Sequence, residues 1–206
     1  IWLTGASSGI GEALAKQLSQ FPINLILSSR REEELKRVKS ECSNQDRIKV
    51  LPLDLMQSET FEPKVQEAIS AFHQVDILIN NGGRSQRSLV KDTVLQVDRD
   101  LMEVNYFGSV GLTKALLPHM LERGSGHFVV VTSLTGIFGT PYRSGYAASK
   151  HALHGFYDSM RAELEDSGIK VTIAAPGFVK TNVSINAFTG DGSALGSMDS
   201  AQANGL

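Results

Sequence analysis

Tyr146 and Lys150 are the two residues whose types and spacing best suit proton chemistry. They lie four positions apart in a segment of helical periodicity, so their side chains share one face of a predicted helix. A tyrosine hydroxyl can protonate the alkoxide that forms when a carbonyl accepts a hydride, but its ordinary pKa of about 10 is high for exchange at neutral pH. A nearby ammonium lowers that pKa. The pair predicts acid/base catalysis, although alone it also fits an exposed lysine beside a core tyrosine.

Ser133 is the second candidate for this chemistry. It follows the apolar run at 129–131, which predicts a place at the carboxyl end of a central strand. Ligands bind at that edge of open α/β sheets, and a hydroxyl there can stabilise charge on a substrate oxygen. Without Tyr146, a loop hydroxyl or helix cap would be the simpler interpretation.

Three glycines mark a phosphate-binding loop between the first predicted strand and helix. Gly5, Gly9 and Gly11 stand in Thr4-Gly5-Ala6-Ser7-Ser8-Gly9-Ile10-Gly11. Glycine lets the backbone turn tightly and approach a pyrophosphate, and the helix N-terminus supplies free N–H groups. A glycine-rich turn without a ligand is the alternative, which the place at the first strand-to-helix turn disfavours.

Arg30 and Arg31 follow the second predicted strand. An acid at this place binds a ribose 2′-hydroxyl, whereas arginine accommodates a 2′-phosphate. We therefore predict NADP(H) rather than NAD(H), with Ser28 and Ser29 as further phosphate partners. The alternative is that both arginines pair with the acids at 32–34.

Short apolar runs alternate with longer amphipathic segments, which predicts βαβ units around a parallel sheet. The predicted strands are Ile1–Leu3, Ile23–Ser28, Lys49–Leu53, Ile77–Asn80, His127–Thr132 and Lys170–Ala174. The predicted helices are Gly9–Gln20, Glu32–Cys42, Ser58–Phe72, Val94–Arg123 and Tyr142–Asp166. Right-handed crossovers then give a doubly wound, three-layer α/β/α sheet of the Rossmann type in a single domain, residues 1–206. The tail from Thr189 to Leu206 is rich in Gly, Ser, Ala and Asp, and we expect a mobile substrate loop over residues 183–206.

Composition argues against several classes of protein. The net charge of -2 gives no case for nucleic acid binding, and the 41% hydrophobic residues form only strand-sized runs, so no membrane span is predicted. The single cysteine, Cys42, rules out an internal disulfide and fits a reducing compartment. His151 and His154 have a spacing that can bind metal, but we predict helix packing and no metal site. The chain opens on a strand without a methionine, so we expect residues upstream, and an anchor among them stays an alternative to a cytoplasmic protein.

The sequence resembles the short-chain dehydrogenase/reductase family in the order and spacing of several motifs. These are Thr4-Gly-x-x-x-Gly-x-Gly11, Asn80-Asn81-Gly82, Asn105, Ser133, Tyr146-x-x-x-Lys150 and Pro176-Gly177-x-Val179-x-Thr181. Within the family it is most similar to the group around dehydrogenase/reductase family member 7 and its B form, and to bacterial relatives. The segments 80–88, 105–108, 113–118, 146–152 and 182–187 carry that likeness.

The resemblance implies a catalytic tetrad. Tyr146 would be the acid/base, Ser133 would orient the substrate carbonyl, and Lys150 would bind the nicotinamide ribose and lower the pKa of the tyrosine. Asn105 would hold a water in a proton relay. The implied cofactor site consists of Gly5, Ser7, Ser8, Gly9, Ile10, Gly11, Arg30, Arg31, Asp54, Leu55, Asn81, Gly82, Asn105, Tyr146, Lys150, Pro176, Gly177, Val179 and Thr181.

Two departures from the family pattern stand out. Gly82 replaces the family's alanine, which we expect to loosen the end of that strand. The family's last helix and seventh strand do not follow residue 206, so the chain looks truncated at both ends. The four aromatic residues Phe138, Tyr142, Phe178 and Phe188 form either an apolar substrate wall or ordinary core, and Arg84 and Arg87 either reach a charged substrate or lie in solvent.

These observations predict an NADP(H)-dependent oxidoreductase that moves a hydride between the nicotinamide and a carbonyl or secondary alcohol of a small, apolar substrate. A 3-oxoacyl thioester reductase is one alternative, and a non-catalytic nucleotide-sensing Rossmann protein is another. The family pairs subunits through its long helices, so the resemblance implies a homodimer or homotetramer. We expect no nucleic acid partner.

Overall fold

The computed structural model of the chain describes residues 1–181, 183 and 185–197. Six parallel strands form one sheet in the order β3-β2-β1-β4-β5-β6. Their bounds are β1 Trp2–Thr4, β2 Leu25–Ser28, β3 Ile48–Val50, β4 Ile77–Asn80, β5 Gly126–Val131 and β6 Ile169–Ala174. The order reverses between β1 and β4, which is the switch point at which doubly wound sheets bind ligands. The predicted single-domain Rossmann fold is confirmed.

Helices cover the sheet. Their bounds are α1 Gly9–Leu18, α2 Glu32–Ser40, α3 Phe61–Phe72, α4 Leu95–Met102, α5 Gly108–Arg123 and α6 Ser144–Glu163, with short 3₁₀ turns at Gln45–Arg47, Ser58–Thr60, Val90–Asp92 and Leu134–Gly136. None of the helices in the described part of the chain has the length and hydropathy that a membrane crossing requires.

Two apolar cores lie on opposite faces of the sheet. Strand side chains alternate between them, so Trp2 packs on one face and Leu3 on the other. The larger core joins the sheet to α3, α5 and α6, and the smaller one joins it to α1 and α2. Because both faces are covered, the strands read as apolar runs without polar alternation, as predicted.

The predicted helix Val94–Arg123 differs from the structure. It begins at Leu95, and a π-helical turn, Glu103–Phe107, separates α4 from α5. The turn holds the buried side chain of Asn105, whose amide bonds Arg84 and Ser149. The predicted helix Tyr142–Asp166 is also shorter, since Tyr142 has a φ of 66°, which lies outside the right-handed helical region.

The segment after β6 folds back onto the loop that follows β4. Phe188 pairs with Gln86 in a parallel bridge and with Ala194 in an antiparallel one. The predicted mobility of 183–206 stays a prediction. Residues 182, 184 and 198–206, on which part of that prediction falls, lie outside the described residues.

Candidate active site

A cavity of about 480 Å³ opens at the carboxyl ends of the strands. Its lining comes from the loops that follow the six strands and from α6, which contributes Tyr146 and Lys150. All the predicted site residues except Gly11 and Asn105 line it. Those two lie directly behind the lining, where each supports residues that face the cavity.

The glycine loop has the backbone geometry that its sequence predicts. Gly9 opens α1 with a φ of 58°, and Ser8 before it is extended and makes no side-chain cap. The first N–H groups of α1 are therefore left for an anion. Gly11 admits no side chain, because a Cβ there would meet Asn81 Nδ2 at 2.7 Å and the carbonyl carbon of Gly5 at 2.8 Å.

Arg30 and Arg31 are exposed at the end of β2, and both line the cavity. The neighbouring acids have other partners: Glu32 and Glu33 pair with Lys36, and Glu34 pairs with Arg37. In the described part of the chain, neither arginine forms an ion pair with these acids. The alternative, a surface pairing of Arg30 and Arg31 with residues 32–34, is wrong.

Ser28 does not serve as the sequence suggested. Its side chain is fully buried, and its hydroxyl donates to the Leu51 carbonyl at 2.6 Å and accepts from the Trp2 indole at 2.8 Å. Both bonds face inward, so the expected phosphate contact of Ser28 is wrong. Ser29 lines the cavity, and its hydroxyl has no hydrogen-bond partner among the described residues.

The loops after β3 and β4 meet the glycine loop. Asn81 Nδ2 donates to the carbonyls of Thr4 and Gly5 at 3.1 and 3.3 Å. A Cβ at Gly82 would meet Leu55 Cδ1 at 2.6 Å, so the Leu55 side chain occupies the space that the family's alanine methyl would need. Asp54 accepts the Met56 N–H at 3.0 Å, which fixes the turn that carries Leu55.

Tyr146 and Lys150 share one face of α6, as predicted, and the Lys150 Nζ lies 5.8 Å from the centre of the Tyr146 ring. Burial raises the pKa of Tyr146, while a hydrogen bond with Ser133 and the charges of Arg87 and Arg143 lower it by less. Burial also lowers the pKa of Lys150 to about 8, and its Nζ donates to the Val131 carbonyl at 2.9 Å. In this structure, therefore, Ser133 and the two arginines, and not Lys150, oppose the effect of burial on the tyrosine.

Ser133 stands directly after β5 in extended conformation, and its Oγ accepts the Thr135 N–H at 3.2 Å. Thr132 before it is anchored to β6, because its N–H donates to the Ala174 carbonyl at 2.7 Å. The strand ending thus holds the Ser133 hydroxyl at the cavity beside Tyr146.

Asn105 holds the loop after β4 in place. Its Oδ1 accepts the Arg84 N–H at 2.8 Å, and its Nδ2 donates to the Arg84 carbonyl and to Ser149 Oγ, each at 2.9 Å. Both side-chain N–H groups are used in these bonds. The water relay at Asn105 stays a prediction.

Gln86 is a residue of the site that the sequence analysis missed. Its side chain is 0% exposed, and its Oε1 accepts the Tyr146 N–H at 3.1 Å. Its Nε2 donates to Ser88 Oγ at 3.0 Å and to Thr93 Oγ1 at 3.3 Å. Gln86 therefore caps the first turn of α6 from another part of the chain. Only its place in the family-like segment 80–88 hinted at a role.

The four aromatic residues considered for the substrate wall lie in different environments in the structure. Phe138 and Phe178 line the cavity, whereas Phe188 packs with Val97 and Leu101 in a small core of its own, and Tyr142 is exposed away from the lining. Two aromatic rings therefore belong to the wall of the site. Val179 and Thr181 complete that wall, and Thr181 faces Gly9, whose Cβ would meet the Thr181 Cβ at 3.1 Å.

Comparison with known proteins agrees with this geometry. The family model described as short chain dehydrogenase matches residues 1–191. Human dehydrogenase/reductase SDR family member 7 is 49% identical over 93% of this chain and 58% of its own length. The fruit-fly family protein 7-like is 46% identical over 100% of this chain and 65% of its own, and mouse member 7B is 43% identical over 98% and 64%. The chain thus spans less than two thirds of these relatives' lengths.

Solved structures have the same fold. A short-chain dehydrogenase from Streptomyces avermitilis superposes with a TM-score of 0.85 at 33% identity, over 99% of this chain and 73% of that one. The protein ElxO, solved with NADP bound, gives 0.83 at 30% identity, over 87% and 73%. A Burkholderia phymatum family protein in complex with NAD gives 0.83 at 24% identity, over 89% and 66%, a likeness of fold alone.

The family match over residues 1–191 includes the glycine loop at the switch point of the sheet and the cavity residues Ser133, Tyr146 and Lys150. The chain belongs to the short-chain dehydrogenase/reductase family of oxidoreductases, and it is similar there to family members 7 and 7B.

Proposed function

We propose that the protein is an NADP(H)-dependent oxidoreductase that interconverts a carbonyl and a secondary alcohol on a small, largely apolar substrate. The observation that carries the proposal is a cavity in which Tyr146, Ser133 and Lys150 stand beside an uncapped helix N-terminus and beside Arg30 and Arg31, neither of which forms an ion pair with an acid in the described part of the chain. A proton donor and an anion cradle in one cleft are the two parts that this reaction needs.

The residues of the cradle suit a dinucleotide with a 2′-phosphate. The N-terminus of α1 would take the pyrophosphate, and Arg30, Arg31 and Ser29 would take the 2′-phosphate. The similar protein ElxO, which was solved with NADP bound, supports a nicotinamide cofactor in general. The choice of NADP(H) rests on Arg30 and on the absence of an acid at the end of β2.

When bound, the nicotinamide supplies or accepts the hydride at the carbonyl carbon. Tyr146 Oη would give its proton to the carbonyl oxygen during reduction and take it back during oxidation. Ser133 Oγ would donate a hydrogen bond to the same oxygen as negative charge develops there. Lys150, held by the Val131 carbonyl, would place its ammonium beside the cofactor ribose and Tyr146.

Nucleotide titration tests the cofactor. The full-length protein is titrated separately with NADPH and NADH by calorimetry, and then as Arg30→Ala. We expect the wild-type protein to bind NADPH more tightly than NADH. Arg30→Ala should weaken NADPH binding by about tenfold or more, because the variant lacks a charge-assisted contact with the phosphate. Arg47→Ala, an exposed arginine away from the cavity, is the matched control.

Equal affinity for the two nucleotides would overturn the NADP(H) assignment. Failure of both to bind would overturn the proposed oxidoreductase and favour a different use of the fold. Turnover is then screened with NADPH and a panel of ketones and aldehydes, following absorbance at the nicotinamide band. Binding without turnover of any panel member would favour the nucleotide-sensing alternative.

We also propose that the protein assembles as a homodimer or homotetramer. Phe107 and Leu121, at and near the two ends of α5, are 51% and 44% exposed. The proposal rests on the pairing of subunits through the long helices of this family, to which these two exposed side chains would add apolar contact area. Light scattering coupled to size exclusion tests this, and a monomer at all concentrations would contradict it.

We propose a cytoplasmic protein, with attachment through an upstream segment as the alternative. The single, buried Cys42 supports a reducing compartment. Fractionation of cells that make the full-length protein separates the two, because an anchored form would sediment with membranes and resist extraction by salt.

A further inference from the structure

We propose that His154 is a positioning residue for the reaction, and that it acts through Thr132 to hold the turn that presents Ser133 to the substrate oxygen. The inference rests on the proposed oxidoreductase function, in which Ser133 stabilises charge on that oxygen. It adds to the site a side chain that lies behind the cavity lining.

His154 lies on α6 in line with the two residues proposed for acid/base chemistry. It follows Lys150 by four residues and Tyr146 by eight, so the three side chains lie along one side of the helix. The other histidine of this helix, His151, is exposed, and its Nδ1 bonds the Ala147 carbonyl of the same helix at 2.9 Å. His154 instead reaches the end of β5.

Thr132, the residue before Ser133, is the partner of the imidazole. His154 Nε2 lies 3.0 Å from Thr132 Oγ1, and the Ala174 carbonyl oxygen lies 3.1 Å from the same hydroxyl. A hydroxyl has one hydrogen and a carbonyl can only accept, so Thr132 donates to Ala174 and the ring donates to Thr132 from Nε2. Thr132 is 3% exposed, so water competes little for either bond.

The same ring also packs against the turn that follows Ser133. A Cβ at Gly136 would meet His154 Cδ2 and the Lys150 carbonyl oxygen, each at 3.0 Å, so the turn lies directly on α6. The Gly136 N–H donates to the Ser133 carbonyl at 2.8 Å, which closes the turn. His154 therefore contacts the chain on both sides of Ser133, by a hydrogen bond before it and by packing after it.

Ser133 needs this support because its proposed role depends on position. A donor aimed at a developing negative charge must lie within about 3 Å of that oxygen, and a misplacement of about 1 Å can cost a hundredfold in rate. Ser133 Oγ has two partners, the Thr135 N–H at 3.2 Å and the Tyr146 hydroxyl, so a shift of the turn would disturb both. Loss of the bond between His154 and Thr132 should therefore slow the chemical step and leave nucleotide binding intact.

Nitrogen NMR tests the bond without a substrate. The full-length protein is labelled with nitrogen-15 at histidine, and the His154 ring is assigned from the signals that are missing in His154→Gln. At pH 7 we expect hydrogen on Nε2, and a shift of this signal in Thr132→Val, which keeps the side-chain shape and lacks the hydroxyl. A ring with hydrogen on Nδ1 alone would overturn the inference, because it could not donate to Thr132.

Kinetics test the effect on the reaction. The full-length protein is titrated with NADP⁺ by calorimetry, and kcat is then measured with NADPH and the panel carbonyl that the wild type reduces fastest. His154→Leu has similar bulk and no N–H, so it should lower kcat about tenfold or more while NADP⁺ affinity and circular dichroism stay unchanged. His154→Gln can donate from its amide and should recover most of the rate.

A double-mutant cycle locates the effect in the bond. Thr132→Val should lower kcat as His154→Leu does, and the double variant should be little slower than either, because both changes remove one interaction. His127→Leu is the matched control and should leave kcat unchanged. His127 Nε2 lies 2.8 Å from Thr172 Oγ1, so it makes the same kind of bond between imidazole and threonine, but both residues lie outside the cavity lining.

The outcomes are distinguishable. Unchanged kcat in His154→Leu, equal losses in the leucine and glutamine variants, or additive losses in the cycle would each overturn the inference. Parallel loss of NADP⁺ affinity would also overturn it, since His154 would then act on the nucleotide site. If His154→Leu does not fold, Thr132→Val decides alone, and wild-type kcat in that variant overturns the inference. A wild-type protein that binds no NADP⁺ or reduces no panel member contradicts the proposed function itself, and the inference falls with it.

Discussion

At the scale of single residues, Tyr146 is a buried phenol whose acidity is set by burial and by neighbours from three parts of the chain. Burial makes it a weaker acid, and Ser133, Arg87 and Arg143 partly reverse that effect. The hydroxyl is therefore protonated at neutral pH in this structure, ready to donate. The Ser133 hydroxyl is the partner that a substrate oxygen would share with it.

Replacing Tyr146 by Phe tests this role. The variant removes the proton donor and leaves the ring, so reduction should slow by about a hundredfold or more, within the range that general acid catalysis contributes. NADPH affinity should change little, which calorimetry measures alongside the rate. A variant that keeps wild-type turnover would show that another group donates the proton.

Residue types and spacing identified most of the site in advance. Tyr146 and Lys150 could be recognised from their helical spacing, and Ser133 from its place after an apolar strand. Both patterns are visible in the sequence itself. Ser28 could not be assigned, because its inward hydroxyl bonds depend on Trp2 and Leu51 from neighbouring strands. Gln86 was missed for the same reason, since its bond to Tyr146 spans 60 residues of sequence.

At the scale of elements, Gln86 fixes the first turn of α6 and with it Tyr146, the proposed proton donor. Gln86→Met keeps the bulk of the side chain and removes its hydrogen bonds, so we expect kcat to fall about tenfold while the protein stays folded. Gln86→Glu retains the acceptor for the Tyr146 N–H and should recover part of the rate. Circular dichroism and steady-state kinetics measure both quantities.

The matched control is Gln96→Met, an exposed glutamine on α4 that bonds Asp100. It should leave kcat unchanged. If Gln86→Met lowered thermal stability but not kcat, or if glutamate and methionine behaved alike, Gln86 would be a packing residue without influence on Tyr146.

A charged clamp joins the two helices on the other face of the sheet. Arg37 of α2 pairs with Glu12 of α1 at 2.9 Å, with Glu34 of its own helix at 3.0 Å, and with Glu41 directly after that helix at 2.9 Å. The hydrogen bond from Arg37 is the largest cause of a pKa of about 2 for Glu12, against burial, which raises it. The N-terminus of α1 is the proposed pyrophosphate site, so the clamp would help to position that site.

The clamp predicts acid sensitivity. A carboxyl group whose pKa is lower in the folded protein contributes stability above its unfolded pKa of about 4.5, and loses that contribution as the pH falls toward about 2. Glu12→Gln should therefore lower the urea midpoint at pH 7 and change it far less at pH 3. Glu59→Gln, an exposed acid outside the clamp, is the control. Parallel losses at both pH values would contradict the role of the clamp.

Element boundaries were predicted well where side chains alone determine them. Strand β4 has the predicted limits, Ile77–Asn80, because an apolar run ends there at polar residues. The π-helical turn Glu103–Phe107 was not predicted. It contains neither proline nor glycine, and the bonds that stabilise Asn105 within it come from Arg84 and Ser149, which are 21 and 44 residues away.

At the scale of the whole molecule, the sheet order places the loops after β1 and β4 side by side at the proposed nucleotide site, although they are far apart in sequence. Thr4 and Asn81 are 77 residues apart in sequence and are bonded directly. The sequence predicted this topology because crossover handedness and switch-point geometry leave few alternatives. The small core of Val97, Leu101 and Phe188 could not be predicted from the sequence, because it forms only when the segment after β6 packs against α4.

The contact between β1 and β4 has a consequence for the rates of folding and unfolding. Contacts between residues far apart in sequence form slowly, because the entropy of closing the intervening loop is lost before the contact is gained. A ligand that contacts the loops after both β1 and β4 would stabilise the contact that is slowest to re-form. Saturating NADP⁺ should therefore slow unfolding in urea by about tenfold or more while refolding is little changed, and equal unfolding rates would contradict this. On this basis, the lifetime of the folded protein would follow the supply of its nucleotide.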